Sequence, residues 1–328
     1  MNDAKFFWVP WPTVRVKLNR VRRIFRGLHL QPGYTLMRWV ARFELVRNVV
    51  SWAHGLVNAR KRSEYRQDCK LRFESTVFKD LDSERMVRDL NQAGVAFGLK
   101  LPSDVVDGIR SYATNAVCYA DRNPACGFTL DTRSDAESKL EKPILVAQYF
   151  NAARDCPEIQ QLINDPVIRG VASDYLGSVP TFVGANLWWT FPVDALDSDK
   201  DRHAHLYHRD VDDFRFFKFF FYLTDVEPGD GAHMCVKGSH TRPPKSRFSD
   251  KWSIRRYTDR EVEEQYAGGD IQEICGSAGV GFAENTLCIH KGLTPTRQAR
   301  LILQLQFALF DYGAMHDRRP EESLRLIK

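Results

Sequence analysis

Five segments in the second half of the chain, TFVGANLWWTF, FRFFKFFFYLTDV, HMCVKGSH, GVGFAENTLCIH and ARLILQLQFALF, are rich in aromatic and β-branched residues and are parted by Gly, Pro and Asp clusters. Such runs suit a pleated, half-buried surface, and their spacing fits strands. Before Thr181 the texture is helical, with one short strand around Val95 to Leu99. Helices first and many short strands afterwards predict a mainly β fold with flanking helices, a sandwich or barrel covered on one side. At 328 residues and 43% hydrophobic content the chain can fill one large core. No internal repeat or low-complexity tract is present.

Within the helical part, Ser103 is the expected N-cap of a helix, and Pro157 to Leu176 is expected to be helical and closed by Gly177. Charge divides the chain. Residues 1–66 carry 14 Lys and Arg against 3 Asp and Glu, a net of +11, which leaves −6 on the remainder of a chain whose total is +5. From Arg15 to Arg26 six cations interleave with Val, Leu, Ile and Phe. After Pro32-Gly33, the residues Leu36, Trp39, Val40, Phe43, Val46, Val50, Ala53 and Val57 recur at the spacing of one helix face. A basic amphipathic extension of this kind can pack on its own protein, serve a homo-oligomer, or lie on an anionic membrane surface. Nucleic acid is the least favoured partner. The reading is therefore a basic helical extension over 1–66, a linker and helix over 67–91, a β domain over 92–313 and a tail over 314–328.

No stretch of about 18 apolar residues is present, and the N-terminus lacks the order of a secretory signal. The seven cysteines are scattered and form no CxxC pair, so they are expected as reduced thiols in a cytoplasmic protein, one that can sit against the inner face of a membrane.

Among nine histidines, only His208 is followed two positions later by a carboxylate in a β-like region, as His208-Arg209-Asp210. Side chains at i and i+2 of a strand share a face and can grip one ion. A third ligand is needed, and His290, at the end of an apolar run, is the best candidate. Two imidazoles and a carboxylate on one side of a metal leave positions open for cosubstrate and O₂. Ten residues on, Arg300 opens ARLILQLQFALF, where Arg300, Ile302, Gln304 and Gln306 share one face and Leu301, Leu303, Leu305 and Phe307 the other. An arginine there is costly to bury without an anion, and its planar fork suits a carboxylate. Arg297, in the turn containing Pro295, is the competitor and is expected to be exposed.

These residues stand in a familiar order: His208-Arg209-Asp210, then Tyr222-Leu223-Thr224-Asp225, Glu227-Pro228-Gly229-Asp230-Gly231, Gly238-Ser239-His240, His290 and Arg300. From about Gln92 to Tyr312 the sequence resembles the phytanoyl-CoA dioxygenase-like family of Fe(II)- and 2-oxoglutarate-dependent oxygenases. The resemblance implies a double-stranded β-helix, a jelly-roll barrel of the cupin kind. It further implies that His208, Asp210 and His290 ligate Fe(II), that Arg300 pairs with the distal carboxylate of 2-oxoglutarate, and that Asn186 is a second cosubstrate contact. O₂ is the remaining cosubstrate, and the implied reaction hydroxylates an unactivated C–H bond of a small-molecule or carrier-bound metabolite, releasing succinate and CO₂. Arg209 departs from the Gln many members have, and Gly292 from a Ser found in some. Asp210 sets the chain apart from related halogenases, which lack that carboxylate.

Trp188, Arg209 and Phe220 are expected near the substrate pocket, with core packing the alternative for the tryptophan and the phenylalanine. His203 and His205 are expected in a loop near the entrance. Two other readings stay open: a non-catalytic membrane- or partner-binding protein on a jelly-roll scaffold, and an iron cupin oxygenase that does not use 2-oxoglutarate.

Overall fold

A computed structural model describes residues 29, 31–194, 197–242, 255–313 and 317–327; the basic segment 15–26 lies outside them. The described chain begins with three helices, α1 (Pro32–Val40), α2 (Glu44–Val57) and α3 (Ala59–Leu71), followed by α4 (Ser83–Gln92), β1 (Val95–Lys100) and α5 (Ser103–Asn115). Strands β2 (Cys118–Ala120), β3 (Gly127–Phe128) and β4 (Val146–Tyr149) alternate with α6 (Arg133–Leu140) and α7 (Ala152–Asp155). Helices α8 (Pro157–Asn164) and α9 (Pro166–Leu176) precede β5 (Thr181–Thr190) and α10 (Asp197–Arg202). The remainder comprises β6 (Phe216–Tyr222), β7 (His233–Val236), α11 (Asp259–Glu263), β8 (Ile271–Ile274), β9 (Val280–Glu284), β10 (His290–Gly292) and β11 (Arg300–Ala308).

Eight strands form one sheet in the order β1-β9-β6-β11-β5-β4-β2-β3, and three form another, β10-β7-β8, every pairing being antiparallel. Between the sheets Phe220, Tyr222, Phe282 and Ile302 of the large one pack with Cys235 and Ile274 of the small one. The opposite face of the large sheet, with Leu301, Leu303 and Leu305 of β11 and Phe217, Phe219 and Phe221 of β6, packs against helices α4, α5, α8 and α9. This is the expected mainly β fold with flanking helices, consistent with a cupin-like jelly roll. The alternation predicted for β11 holds, because Ile302 faces the small sheet and its odd-numbered neighbours face the helices.

Several local expectations change. Ser103 is the first helical residue of α5 and makes no cap; Pro102 holds the N-cap position. The helix expected over 157–176 is two, since Pro166 has no amide hydrogen to continue the first, and Asp165 caps the second by accepting from Val167 and Ile168 N–H. Gly177 closes it in the left-handed region, φ +71°. His290 begins a strand of the small sheet; it does not end the apolar strand before it. Phe78, Met86 and Leu90, from the stretch read as linker and helix, belong to the main core. The tail returns to the sheet: Asp317 accepts from Ala185 N–H at 2.8 Å and Ile327 N–H donates to Gly127 O at 2.9 Å.

The N-terminal helices pack with only part of the face their apolar spacing suggests, Val40, Val46 and Val50 being half-buried. Met37 and Ala41 are buried against Val211, Phe216, Leu287 and Ala308, and Arg62 and Arg66 reach Asp174 at 3.3 and 2.8 Å. Leu36, Trp39, Phe43 and Val57 are exposed, as are Leu45, Val49, Trp52 and Leu56, which form an outward stripe on α2. A break at residues 41–43 divides the single helix expected there into α1 and α2. Met37→Ala should therefore lower the unfolding free energy by about 2–5 kcal/mol, the usual range for truncating a buried side chain. Leu36→Ala should change it by less than about 0.5 kcal/mol. Denaturant unfolding of the two variants checks the orientation of α1, and comparable losses would refute it. No helix among the described residues is long and apolar enough to cross a membrane. All seven cysteines are free.

Candidate metal centre

His208 and Asp210 lie in an extended segment between α10 and β6 that is tied to β10. His208 N–H donates to His290 O at 2.9 Å, His290 N–H returns to His208 O at 3.0 Å, and Asp210 N–H donates to Thr286 O at 2.8 Å. That pairing points residues 208 and 210 to one side and sets residue 290 opposite them. Each imidazole is oriented by its own backbone, with Nδ1 of His208 2.9 Å from Leu206 O and Nδ1 of His290 2.9 Å from Cys288 O. A carbonyl only accepts, so Nδ1 carries the proton and Nε2 keeps a lone pair free. The two Nε2 atoms approach the Asp210 carboxylate at 3.7 and 3.6 Å, and one donor atom from each residue lies within 4.8 Å of the others.

The electrostatics favour a divalent cation. Burial, reinforced by the neighbouring His290, holds the His208 imidazole well below its ordinary pKa of 6.5, so no proton competes for Nε2 near neutrality. Burial alone would raise the Asp210 carboxyl, but the Lys218 ammonium and then the two histidines hold it well below the carboxylate range. Lys218 sits in the middle of β6, 7% exposed, with Nζ 2.6 Å from Asp210 Oδ2 and 3.2 Å from Asp212 Oδ2. Two imidazoles that turn Nε2 inward and an ionised carboxylate fit a first-row divalent metal such as Fe(II).

Arg300, the first residue of β11, is 3% exposed. Its guanidinium donates to Gly231 O and, at 3.2 Å, to Thr190 Oγ1, while its buried Nε has no partner. Among the described residues it meets no carboxylate. Gly231 makes the Arg300 contact possible: its φ is +78°, and an added Cβ would lie 2.6 Å from Pro295 Cγ. Arg297 is exposed and pairs with Glu227 at 3.3 Å.

A cavity of about 290 Å³ joins these groups, lined by the triad and Arg300 together with Asn186, Trp188 and Phe220. Asn186 Oδ1 accepts from Gln148 Nε2 at 3.0 Å. Trp188 faces the cavity and Trp189 the core, where its indole N–H donates to Tyr149 Oη at 3.1 Å. Gly292 lies beside Arg300, a Cβ there standing 3.6 Å from Nη2. His203 and His205 are buried and line the same cavity. Arg209 does not: its Nε donates to Leu287 O at 2.6 Å, away from the cavity. Alternation is the reason, since the residue between two inward-facing ligands points outward.

A second buried pair went unseen in the sequence. His233 Nε2 lies 2.6 Å from Glu284 Oε2, and the His233 ring stacks on that of His290 at 5.6 Å between centroids. Burial pushes the Glu284 carboxyl up to about 8. Burial, with Arg300 nearby, takes His233 down to about 3. Both are neutral at pH 7, sharing one proton along the hydrogen bond. A carboxyl raised from 4.5 contributes stability that is complete below that value and lost as pH climbs through about 8. The depressed histidine contributes in the opposite sense between about 3 and 6.5. The opposing slopes cancel between about pH 4.5 and 6.5, so the net loss falls between about pH 6.5 and 8 and amounts to about 1–2 kcal/mol. Melting across that window should show the decline in the parent protein and a flat profile in Glu284→Gln; equal slopes would refute the neutral pair.

No protein-family model matches the chain, and no curated protein does. Among solved structures, the chain is similar to HygX from Streptomyces hygroscopicus with nickel and 2-oxoglutarate bound, at 13% identity and a TM-score of 0.48 over 70% of this chain and 87% of that one. It is also similar to SnoK, a non-haem α-ketoglutarate-dependent carbocyclase from nogalamycin biosynthesis, at 17% identity and a TM-score of 0.46 over 71% and 85% of the two chains. The corresponding epimerase SnoN matches at 13% identity and a TM-score of 0.44 over 69% and 82%.

Proposed function

We propose that this chain is a non-haem Fe(II)- and 2-oxoglutarate-dependent oxygenase that hydroxylates an unactivated C–H bond of a small-molecule or carrier-bound metabolite. The observation that carries the reading is Arg300, a buried guanidinium without a carboxylate partner among the described residues, opening into the cavity that holds His208, Asp210 and His290. An uncompensated buried charge is costly enough that a fold keeps it only for an incoming anion. The order of motifs from His208 to Arg300 supports placing the chain in the phytanoyl-CoA dioxygenase-like branch.

His208, Asp210 and His290 hold the metal, Arg300 takes the distal carboxylate of the keto acid, and Asn186 offers a second polar contact. With O₂, the bound metal and keto acid supply the oxidising chemistry, converting 2-oxoglutarate to succinate and CO₂. The chain's own residues prepare for it. Leu206 and Cys288 carbonyls fix the imidazole tautomers, Lys218 holds the Asp210 carboxylate ionised and in place, and Trp188, Phe220 and Ile302 give the cavity apolar walls. Asp210 occupies the position that a halide-binding site would need vacant, which favours oxygen insertion over halogenation. An iron cupin that does not use a keto acid has no need of Arg300.

Iron-loaded protein incubated aerobically with 2-oxoglutarate and host extract should form succinate and a product heavier by one oxygen atom. Absence of both, in protein that holds iron, would overturn the reading.

A further inference from the structure

The cavity has two cations beyond those the metal and keto acid engage. Arg38, on α1, lines it with Nε buried and without a hydrogen-bond partner, its guanidinium 5.5 Å from the Tyr34 ring centroid. Arg122, an exposed residue of the turn after β2, lines it from the solvent side, 5.9 Å from the Trp188 ring centroid. Among the described residues neither reaches a carboxylate. The two acids in the cavity, Asp210 and Asp212, are already paired with Lys218.

Charge balance then points outward. Fe(II) brings two positive charges and 2-oxoglutarate two negative ones, which cancel; Arg300 and Lys218 balance the two acids. Arg38 and Arg122 remain. The backbone supports a dedicated role for Arg122, because Asp121 and Arg122 have φ of +50° and +61°. They sit at the centre of a turn closed by Asn123 N–H to Ala120 O at 2.9 Å. Such turns favour Asn-Gly, and a bulky residue held in the left-handed region is strained. Asp121 is anchored there by Lys142, with His203 Nε2 3.3 Å from its carboxylate.

We infer that Arg38 and Arg122 bind an oxyanion of the substrate, a phosphate or carboxylate, so the substrate class is an anionic metabolite whose charged group is held at the cavity mouth while its apolar part lies against Trp188. The inference rests on the assignment of Arg300 to the keto acid. It goes further by giving α1 a direct part in substrate binding.

The test uses full-length protein loaded with redox-inert Ni(II) and saturating 2-oxoglutarate at low ionic strength. Inorganic phosphate and acetate are titrated separately by calorimetry, which distinguishes the two sources of oxyanion. One or both should bind, and Arg38→Gln and Arg122→Gln should each weaken binding by about tenfold or more, as loss of a charge-assisted hydrogen bond implies. Arg122→Gly should lose binding equally while its melting temperature stays level or rises, since glycine relieves the positive φ; a purely structural arginine would give a lower one. No binding of either anion, binding unaffected by both Gln variants, or binding seen only in a parallel titration without 2-oxoglutarate would overturn the proposal. Failure of 2-oxoglutarate itself to bind, with anion binding still dependent on Arg38 and Arg122, would remove the oxygenase reading and leave the oxyanion site standing.

Discussion

Replacing Arg300 by alanine should raise the 2-oxoglutarate concentration for half-saturation by about two to three and a half orders of magnitude. Removing one partner of a buried, hydrogen-bonded charge pair costs about 3–5 kcal/mol, and every 1.4 kcal/mol is about tenfold in affinity. Arg300 meets the conditions for the full cost: it is 3% exposed, at a strand start, and held in place by Gly231 O and Thr190 Oγ1. Arg297→Ala should shift the same constant by less than about threefold, because an exposed ion pair such as Arg297 with Glu227 is worth about 0–1 kcal/mol. Direct titration of the metal-loaded protein with 2-oxoglutarate measures both. Equal effects, or a larger one at Arg297, would show that the carboxylate binds elsewhere.

His208→Ala and Asp210→Ala should each abolish turnover and weaken Fe(II) binding beyond the roughly 10–100-fold that follows loss of a mere supporting partner of a ligand. The two variants should differ in stability. His208→Ala removes a side chain whose other contact is a backbone carbonyl, so the fold should tolerate it. Asp210→Ala takes from Lys218 its 2.6 Å partner and leaves Asp212 at 3.2 Å to balance a buried ammonium. Asp210→Ala should therefore melt lower than His208→Ala, and Lys218→Met in the Asp210→Ala background should recover part of the loss, since the uncompensated charge is then gone. Metal content and melting temperature of the three proteins provide the check; full activity in either single variant would remove its residue from the ligand set.

The ligands were legible because a strand's two-residue period puts 208 and 210 on one side whatever the rest of the fold does. Arg300 was legible for a related reason, a lone charge opening an apolar strand. By the same rule Arg209 could have been excluded from the pocket, as the residue between two inward-facing ones. Lys218 could have been included: a single ammonium in FFKFFF, where every neighbour is buried, requires an anion beside it. The contributions of Tyr34, Arg38 and Arg122 left no local trace. They reach the cavity through contacts spanning long stretches of chain, such as Tyr34 Oη to Asp212 Oδ1 at 3.2 Å across 178 residues. Hydrophobic spacing located the N-terminal helices but caught only part of the face that packs: Val40, Val46 and Val50 are half-buried, Met37 and Ala41 make the buried contact, and the larger apolar side chains turn outward.

The placement of α1 in the cavity wall has a thermodynamic consequence. A nine-residue helix is too short to persist alone in water, so α1 exists as a helix only while docked through Met37, Ala41 and the Tyr34 hydroxyl. Docking and ligand occupancy are then linked functions. A ligand held between Arg38 and the sheets stabilises the docked state by RT ln(1 + [L]/Kd), about 2.7 kcal/mol at a hundred times Kd. Undocking of the helix by the same reciprocity weakens the ligand. Proteolytic nicking or amide exchange across residues 32–40 thus becomes a gauge of cavity occupancy that requires neither turnover nor a known product.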